Sequence, residues 1–301
     1  MFNKLFRVLK KSFLNLTNID LIIREQININ MFENLSVCNK SSLVCAESNA
    51  QRLIISLTTY STRINDVHLV IESLGKQSIK ANKIILWLDQ NEFCLETLPK
   101  VLVDQTHRGL VISFCQNIKS YKKLIPTIQI FPDWNIITTD DDILYPYDFI
   151  EKLSHESNAN PDTIICNHAH KITYKNKSLN KYKEWELETK DFESSKLIFP
   201  VGAGGIYYPT GCFDSRLINV DDFMLLAPTA DDMWFKLMSS LNGFPSKRIN
   251  DVRDFNDRFI PITRGQKIAL YHNNVNGGMN DLQLDKLLTH YKLSVTFFLE
   301  K

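Results

Sequence analysis

The stretch Asn135-Ile-Ile-Thr-Thr-Asp-Asp-Asp-Ile-Leu-Tyr-Pro146 decides how the rest of this 301-residue chain is read. Its first half is apolar and β-branched with no turn residue, the composition of a buried strand. Three carboxylates then arrive together, and Pro146 suits the first turn of a following helix. If the strand ran on through the acids, Asp140 and Asp142 would share one face and Asp141 would take the other. One of the three can cap a helix, but a cap takes one acid, not three. An EF-hand loop opening at Asp140 would place Glu151 at its last ligand position. Leu144 and Tyr145, however, stand where a ligand and the sharp-turn glycine belong, which excludes that reading. What remains is a hard divalent cation, Mg²⁺ or Mn²⁺, held jointly by carboxylates and a substrate's phosphates.

Upstream of this strand the chain alternates. Arg52 to Thr59 reads as a first strand, and Ile64, Val67, Val70, Ile71 and Leu74 then recur at helical spacing up to Gly75. Lys83 to Leu88 is a second strand ending at Asp89. A short helical segment around Leu98 to Val103 leads to a third strand, Leu110 to Phe114, and a helix through Leu124 and Ile128 leads into the acidic strand. Strands and helices at this spacing predict an α/β fold, a mostly parallel sheet flanked by helices. In such sheets ligands sit beyond the carboxyl ends of the strands. The residues there are Thr58, Thr59, Tyr60 and Arg63, then Asp89 and Gln90, then Lys119-Ser-Tyr-Lys-Lys123, then the three acids. A ring to stack, an acceptor for a base N–H, cations for phosphate and carboxylates for its metal together suit a nucleoside diphosphate. Taken singly, Arg63, Lys119, Lys122 and Lys123 also read as solvated charges and Asp89 as a turn cap.

Downstream, Thr163 to Cys166 is a further strand. The run Cys166-Asn-His-Ala-His170 places a thiol and two imidazoles on one strand face, a zinc half-site without a second pair of ligands. Tyr174 to Lys196 is charged and poor in apolar residues, which predicts a long loop over the site. Val201-Gly-Ala-Gly-Gly205 allows close backbone approach to a ligand or a tight turn. Thr229 to Met238 is a helix with Asp231 and Asp232 in its first turn, where acids either complement the helix dipole or serve as a general base. Leu270 to Asp281 is rich in amides beside His272, and an amphipathic helix through Leu282, Leu284, Leu287 and Leu288 follows. Such amides suit a polyhydroxylated substrate or Asx turns. Gly204, Gly205, Trp234, Asn276 and Asn280 are the acceptor-side candidates.

Composition constrains the partners. Hydrophobic residues make up 44% and charged residues 23%, ordinary for a globular protein, and a net charge of +1 gives no general attraction to nucleic acid. Six scattered cysteines without a Cys-x-x-Cys pair favour a reducing cytosol. No run of eighteen apolar residues predicts a transmembrane helix, and no signal peptide is evident. Residues 1–16 nonetheless form a basic amphipathic pattern. Phe2, Leu5, Phe6, Leu9, Phe13 and Leu16 fall on one side, and Lys4, Arg7, Lys10 and Lys11 on the other. That pattern suits either an anionic membrane surface, as a peripheral protein on the inner face of the cytoplasmic membrane, or docking on the chain's own core. Residues 17–50 read as a polar connector carrying one short helix.

Six segments together resemble the bacterial GT-A-fold glycosyltransferases related to family 2, of the capsule and lipopolysaccharide O-chain type. They are Ile55 to Ile64, Ile84 to Leu88, Lys119 to Pro126, Thr138 to Pro146, Gly202 to Pro209 and Ala230 to Phe235, in the expected order. The resemblance implies that residues 51–301 form the glycosyltransferase domain and use a nucleotide-sugar donor, UDP-sugar favoured, with a saccharide or lipid-linked glycan as acceptor. It implies that Asp140 and Asp142, as Asp-x-Asp, hold Mn²⁺ or Mg²⁺, with His272 as a third ligand by analogy. It further implies a donor site of Thr58, Tyr60, Arg63, Asp89, Lys119, Lys122, Lys123 and Asp141. Asp232 would be the base of an inverting transfer, supported by Asp231. The chain departs from the family in having Ala230-Asp-Asp where relatives often show Glu-Asp, and in lacking their basic residue a turn or two later. Two other classes compete: a metal-dependent phosphohydrolase, which would want an Asp where Thr58, Thr59 and Tyr60 stand, and a non-catalytic sugar-binding module.

Overall fold

The computed structural model describes residues 19–46, 52–264 and 277–299. In chain order the elements are α1 (Ile19–Cys38), β1 (Leu53–Thr58), α2 (Val67–Gly75), β2 (Lys83–Asp89), α3 (Lys100–Thr106), β3 (Leu110–Cys115), α4 (Ile125–Ile130), β4 (Asn135–Thr138), β5 (Ile143–Leu144) and α5 (Phe149–Ala159). Then come β6 (Ile164–Cys166), β7 (Ala169–Lys171), β8 (Tyr174–Lys175), β9 (Ser178–Leu179), β10 (Ile198–Pro200), β11 (Ile206–Tyr208), α6 (Val220–Leu226), α7 (Asp231–Leu241) and β12 (Ser246–Arg248). The last are α8 (Phe255–Arg258), β13 (Ile260–Pro261), α9 (Met279–His290) and α10 (Val295–Leu299).

Seven strands form the central sheet in the order β12-β6-β11-β4-β1-β2-β3. All neighbours are parallel except β11, which runs antiparallel to both β4 and β6. The mixed α/β, mostly parallel sheet predicted from strand and helix alternation is therefore present. The β-branched strands place alternate residues on opposite faces, as the pleat requires. Ile137, Ile165 and Tyr207 enter one core with α1, α2 and α5, while Ile136, Ile164, Ile206 and Tyr208 enter the other with Tyr121, Phe223 and the α7 residues Trp234 and Phe235. Burying both faces is what makes the strands read as nearly continuous apolar runs.

Four local expectations change. The acidic strand stops at Thr138, and Asp140 to Asp142 lie in a turn, so strand alternation does not set their directions. Pro146 precedes α5 by three residues and does not start it. Cys166 to His170 is not one strand face, because Asn167 and His168 separate β6 from β7. The segment 174–196 is no bare loop either. It carries the β8/β9 hairpin, and Tyr182 and Trp185 pack edge-on against Phe199 in the second core. Two buried aromatics fasten that segment to the body.

In residues 17–50 the short helix expected is a 20-residue one, α1. It buries Ile29, Phe32 and Ser36, and it is clamped at its sides. The Arg24 guanidinium donates to the carbonyls of Asn256 and Asp257, each at 3.0 Å, and Glu25 accepts from the Thr263 backbone N–H at 2.8 Å. The amphipathic pattern of residues 1–16 lies outside the described residues.

Candidate active site

The site assembles where β1 and β4, adjacent and parallel, end side by side. Past β1 the chain enters a short 3₁₀ turn, Ser61–Asn65, that turns Arg63 back toward the acids following β4. Arg63 Nη1 donates to Asp141 Oδ1 at 2.7 Å, and Nη2 lies 2.9 Å from Asp142 Oδ2. Thr59 Oγ1 donates to the other Asp141 oxygen at 2.6 Å. Burial raises the Asp141 pKa, and the Arg63 charge and these hydrogen bonds work against that rise. Asp141 is thus the structural acid of the three, fully engaged beneath the turn. Asp140 and Asp142 keep partial access, with side chains 31% and 13% exposed.

A second 3₁₀ turn, Lys119–Lys123, follows β3 and delivers Lys123 to the other side of the same turn. Its ammonium is 3.1 Å from Asp140 Oδ1, 2.9 Å from Asp231 Oδ2 and 3.7 Å from Asp232 Oδ1. Burial alone would favour loss of its proton, but the three carboxylates override it and hold its pKa well above the ordinary lysine value. Asp231 and Asp232 open α7, where the helix dipole also favours negative charge.

Asp232 is the odd acid. Its Oδ2 accepts the Gly202 backbone N–H at 2.8 Å, and its side chain is still 24% exposed. Burial pushes its pKa up to about 7, Lys123 opposes, and the charges of Asp231 and Asp140 add to the rise. A carboxylate that is reachable, oriented by a backbone donor and poised near neutrality has the properties of a general base. Gly202 is required for this geometry, since a Cβ there would sit 2.9 Å from both Asp232 Oδ1 and Lys123 Nζ.

The remaining predicted positions divide. Tyr60 lies under the Arg63 guanidinium, 5.3 Å from its ring centroid. Asp89 is buried at the end of β2, where its Oδ1 accepts the Asn91 N–H at 2.9 Å, so it does cap its turn. Thr58 Oγ1 is spent on the Trp87 carbonyl at 2.9 Å. Lys122 is buried with its ammonium 3.4 Å from Asn117 Oδ1, while Lys119 is exposed with φ of 55°. Lys123, expected toward phosphate, instead joins the acids.

On the acceptor side, Trp234 does not face the site. It is fully buried on α7, and its indole N–H donates to the Leu217 carbonyl at 3.0 Å. The room left by the missing Cβ of Gly204 and of Gly205 is taken by His168 and Phe149, each within 2.5 Å of where that Cβ would stand. Asn280 is buried in the first turn of α9, a helix tied to the chain just before α7 through Gln283 and Thr229. His272 and Asn276 lie outside the described residues.

Two contributors had not been singled out as site residues. Gly202 belongs to the glycine-rich segment, but its donor role depends on where α7 lies. The Tyr145 hydroxyl accepts the Asp140 backbone N–H at 2.9 Å and donates to the Ala203 carbonyl at 3.3 Å, so it pins the acidic turn to the glycine turn. A tyrosine three residues after a strand-end acid cluster is the trace it leaves in the sequence.

No family model matches this chain, and no curated protein matches it. Solved structures do resemble it. S. aureus TarS 1-349 in complex with UDP aligns with a TM-score of 0.47 at 14% identity, over 82% of this chain and 73% of that one. The mannosyltransferase PcManGT from Pyrobaculum calidifontis, in complex with GDP-Man and Mn²⁺, aligns with a TM-score of 0.44 at 10% identity, over 79% and 67%. The inositol-1-phosphate CTP transferase from T. maritima aligns with a TM-score of 0.35 at 8% identity, over 67% and 86%. Likeness at this level does not bear on chemistry, which has to come from the residues described above.

Proposed function

We propose that this chain is a GT-A-type glycosyltransferase that moves a sugar from a nucleotide donor, a UDP-sugar being favoured, to a hydroxyl of a glycan or lipid-linked acceptor. The observation that carries this reading is the division of labour among the acids around Lys123. Asp140 and, beside it on Arg63, Asp142 lie partly exposed in the turn after β4, and Asp232, its carboxyl pushed up to about 7, shares the buried Lys123 ammonium with Asp140.

The donor set suits a divalent cation held in part by substrate. Asp140 lies 3.1 Å from the Lys123 ammonium and Asp142 2.9 Å from the Arg63 guanidinium, and oxygen ligands of this type are what a hard divalent cation takes. Among the described residues no three acidic, imidazole or thiol groups gather closely enough to hold an ion unaided. An ion bound by Asp140 and Asp142 would take its other ligands from the donor's phosphates, the usual habit of Mg²⁺ at phosphate-handling sites. Such an ion supplies neutralisation of the departing diphosphate.

The chain's own residues do the rest. Asp232, held by the Gly202 N–H, takes the proton of the acceptor hydroxyl. The acceptor oxygen forms the new bond to the anomeric carbon as the bond to the nucleoside diphosphate breaks, with inversion from a single direct displacement. Tyr60, beneath the Arg63 guanidinium at the end of β1, is the ring on which the base would stack, and Arg63 keeps the acidic turn in shape. Where a phosphohydrolase of the competing class would want a nucleophilic Asp, this chain has Thr59, and its hydroxyl is committed to Asp141.

The test is a thermal-shift panel of UDP, GDP, CDP and dTDP, each with and without Mn²⁺, on the wild type and Asp142→Asn. A ligand at about a hundred times its dissociation constant adds ~2.7 kcal/mol of stability. Metal-dependent stabilisation by one nucleotide, lost in the variant, is expected. A folded wild type that responds to none of them would overturn the proposal.

A further inference from the structure

Helix α1 turns one face to the body and leaves the other bare. Ile29 and Phe32 are buried, whereas Ile22, Ile23 and Ile27 are 55%, 49% and 61% exposed and Ile19 is exposed beside them. Four exposed isoleucines within nine residues make a contiguous apolar surface, not the scatter of single apolar residues normal on a protein.

Two features identify what this face meets. The first is period. Phe2, Phe6, Leu9, Phe13, Leu16, Ile19, Ile23 and Ile27 succeed one another at intervals of three or four, so the outward face of α1 continues without a break the apolar period of the preceding sequence. The second is charge. Residues 1–16 contain Lys4, Arg7, Lys10 and Lys11 and no acid, while the acids of α1 beyond Asp20 have partners on the body, Glu25 at Thr263 and Glu33 3.6 Å from Arg264. Bulky apolar residues in one helical phase with basic residues beside them match the interface of an anionic bilayer, where side chains bury among acyl chains and cations meet headgroups. No described helix is long and apolar enough to cross a membrane.

We propose that α1 lies on an anionic lipid surface through Ile19, Ile23 and Ile27. The proposal goes beyond the transfer reaction and does not depend on it. The clamps already described give it a structural consequence. Arg24 and Glu25 hold residues 256–263, β13 pairs antiparallel with β5, and the Ile262 N–H donates to the Asp142 carbonyl at 2.7 Å. The lipid-facing helix is thus joined by hydrogen bonds to the acidic turn, which fixes the height of the site above the bilayer.

The experiment is co-sedimentation of the full chain with vesicles of phosphatidylcholine alone or mixed with phosphatidylglycerol, comparing wild type with the Ile23→Glu/Ile27→Glu variant. Both positions are exposed, so the variant should melt like the wild type. Wild-type binding to the mixed vesicles only, weakened by salt, is expected, with the variant's partitioning reduced about tenfold or more. Wild type that stays in the supernatant, or a variant that binds as well as wild type, would overturn the proposal. So would a wild-type dimer in sedimentation velocity that the same substitutions dissolve, because the face would then belong to a second copy.

Discussion

Lys123 Nζ stands 2.9 Å from Asp231 Oδ2 and 3.1 Å from Asp140 Oδ1, so a single buried ammonium joins an acid at the end of β4 to an acid at the start of α7. The two acidic segments lie about ninety residues apart in the chain, and like charges do not collect in a protein interior without a counter-ion. The lysine is therefore as much a part of the site as the carboxylates around it.

Replacing Lys123 with Met should leave these acids without their shared cation. Removing one partner of a buried ion pair costs roughly 3–5 kcal/mol. The deficit should shrink as pH falls, because protonated carboxyls no longer need the ammonium. Urea unfolding of the wild type and Lys123→Met at neutral and mildly acidic pH tests this. A deficit that stays the same at both would mean that the lysine acts by packing.

As the proposed base, Asp232 should set the acid side of the rate profile. A base must be deprotonated to work, and burial holds this carboxyl at about 7. Transfer under kcat/KM conditions should accordingly rise with pH through about 7 and level off above it. Asp232→Asn should lose about 10²–10⁴-fold in rate with nucleotide binding retained. Asp231→Asn, which keeps a polar group beside Lys123, should lose less. A profile flat across neutrality would remove Asp232 from this role.

Gly202→Ala separates geometry from stability. The new Cβ would meet Asp232 and Lys123 at 2.9 Å, but both are ends of side chains that can swing aside. Folding should therefore suffer by no more than ~1 kcal/mol, while the Gly202 N–H and Asp232 lose their alignment and the rate falls. Thermal melts and initial rates on the same preparations measure both. Wild-type activity in this variant would show that the Gly202 contact is not needed.

How much of this was visible in the sequence differs from residue to residue. β1, β2 and β4 could be read because strands buried on both faces are apolar throughout, and the acids stood out because three carboxylates after such a run have no packing role. Arg63 could be read as following the first strand, but its burial and its pairing with Asp141 and Asp142 depend on a 3₁₀ turn that no period announces. Lys122 and Lys123 look alike in sequence. One turn of backbone aims the first at Asn117 and the second at the acids. Trp234 was misread because the phase of α7 relative to its core is a tertiary fact. Tyr182 and Trp185 were missed as anchors because two aromatics among charges make no period at all. The full length of α1 was hidden by its asparagines and by a narrow buried face.

His168 and His170 supply a prediction independent of catalysis. Burial lowers the His168 pKa to about 3, with the charges of His170, Arg248 and Arg258 adding, and burial lowers that of His170 to about 4. In the unfolded chain both would titrate near the ordinary value of about 6.5. Between those limits the unfolded state binds more protons than the folded one, so stability falls as pH drops through that window and is fully present above it. Each histidine contributes a slope of up to about 1.4 kcal/mol per pH unit. His168→Gln, which cannot take up the proton, should make the acid limb of the stability curve shallower by one such slope and leave its neutral plateau flat. Parallel acid limbs for variant and wild type would show that His168 is already protonated in the fold, contrary to its burial beside two arginines.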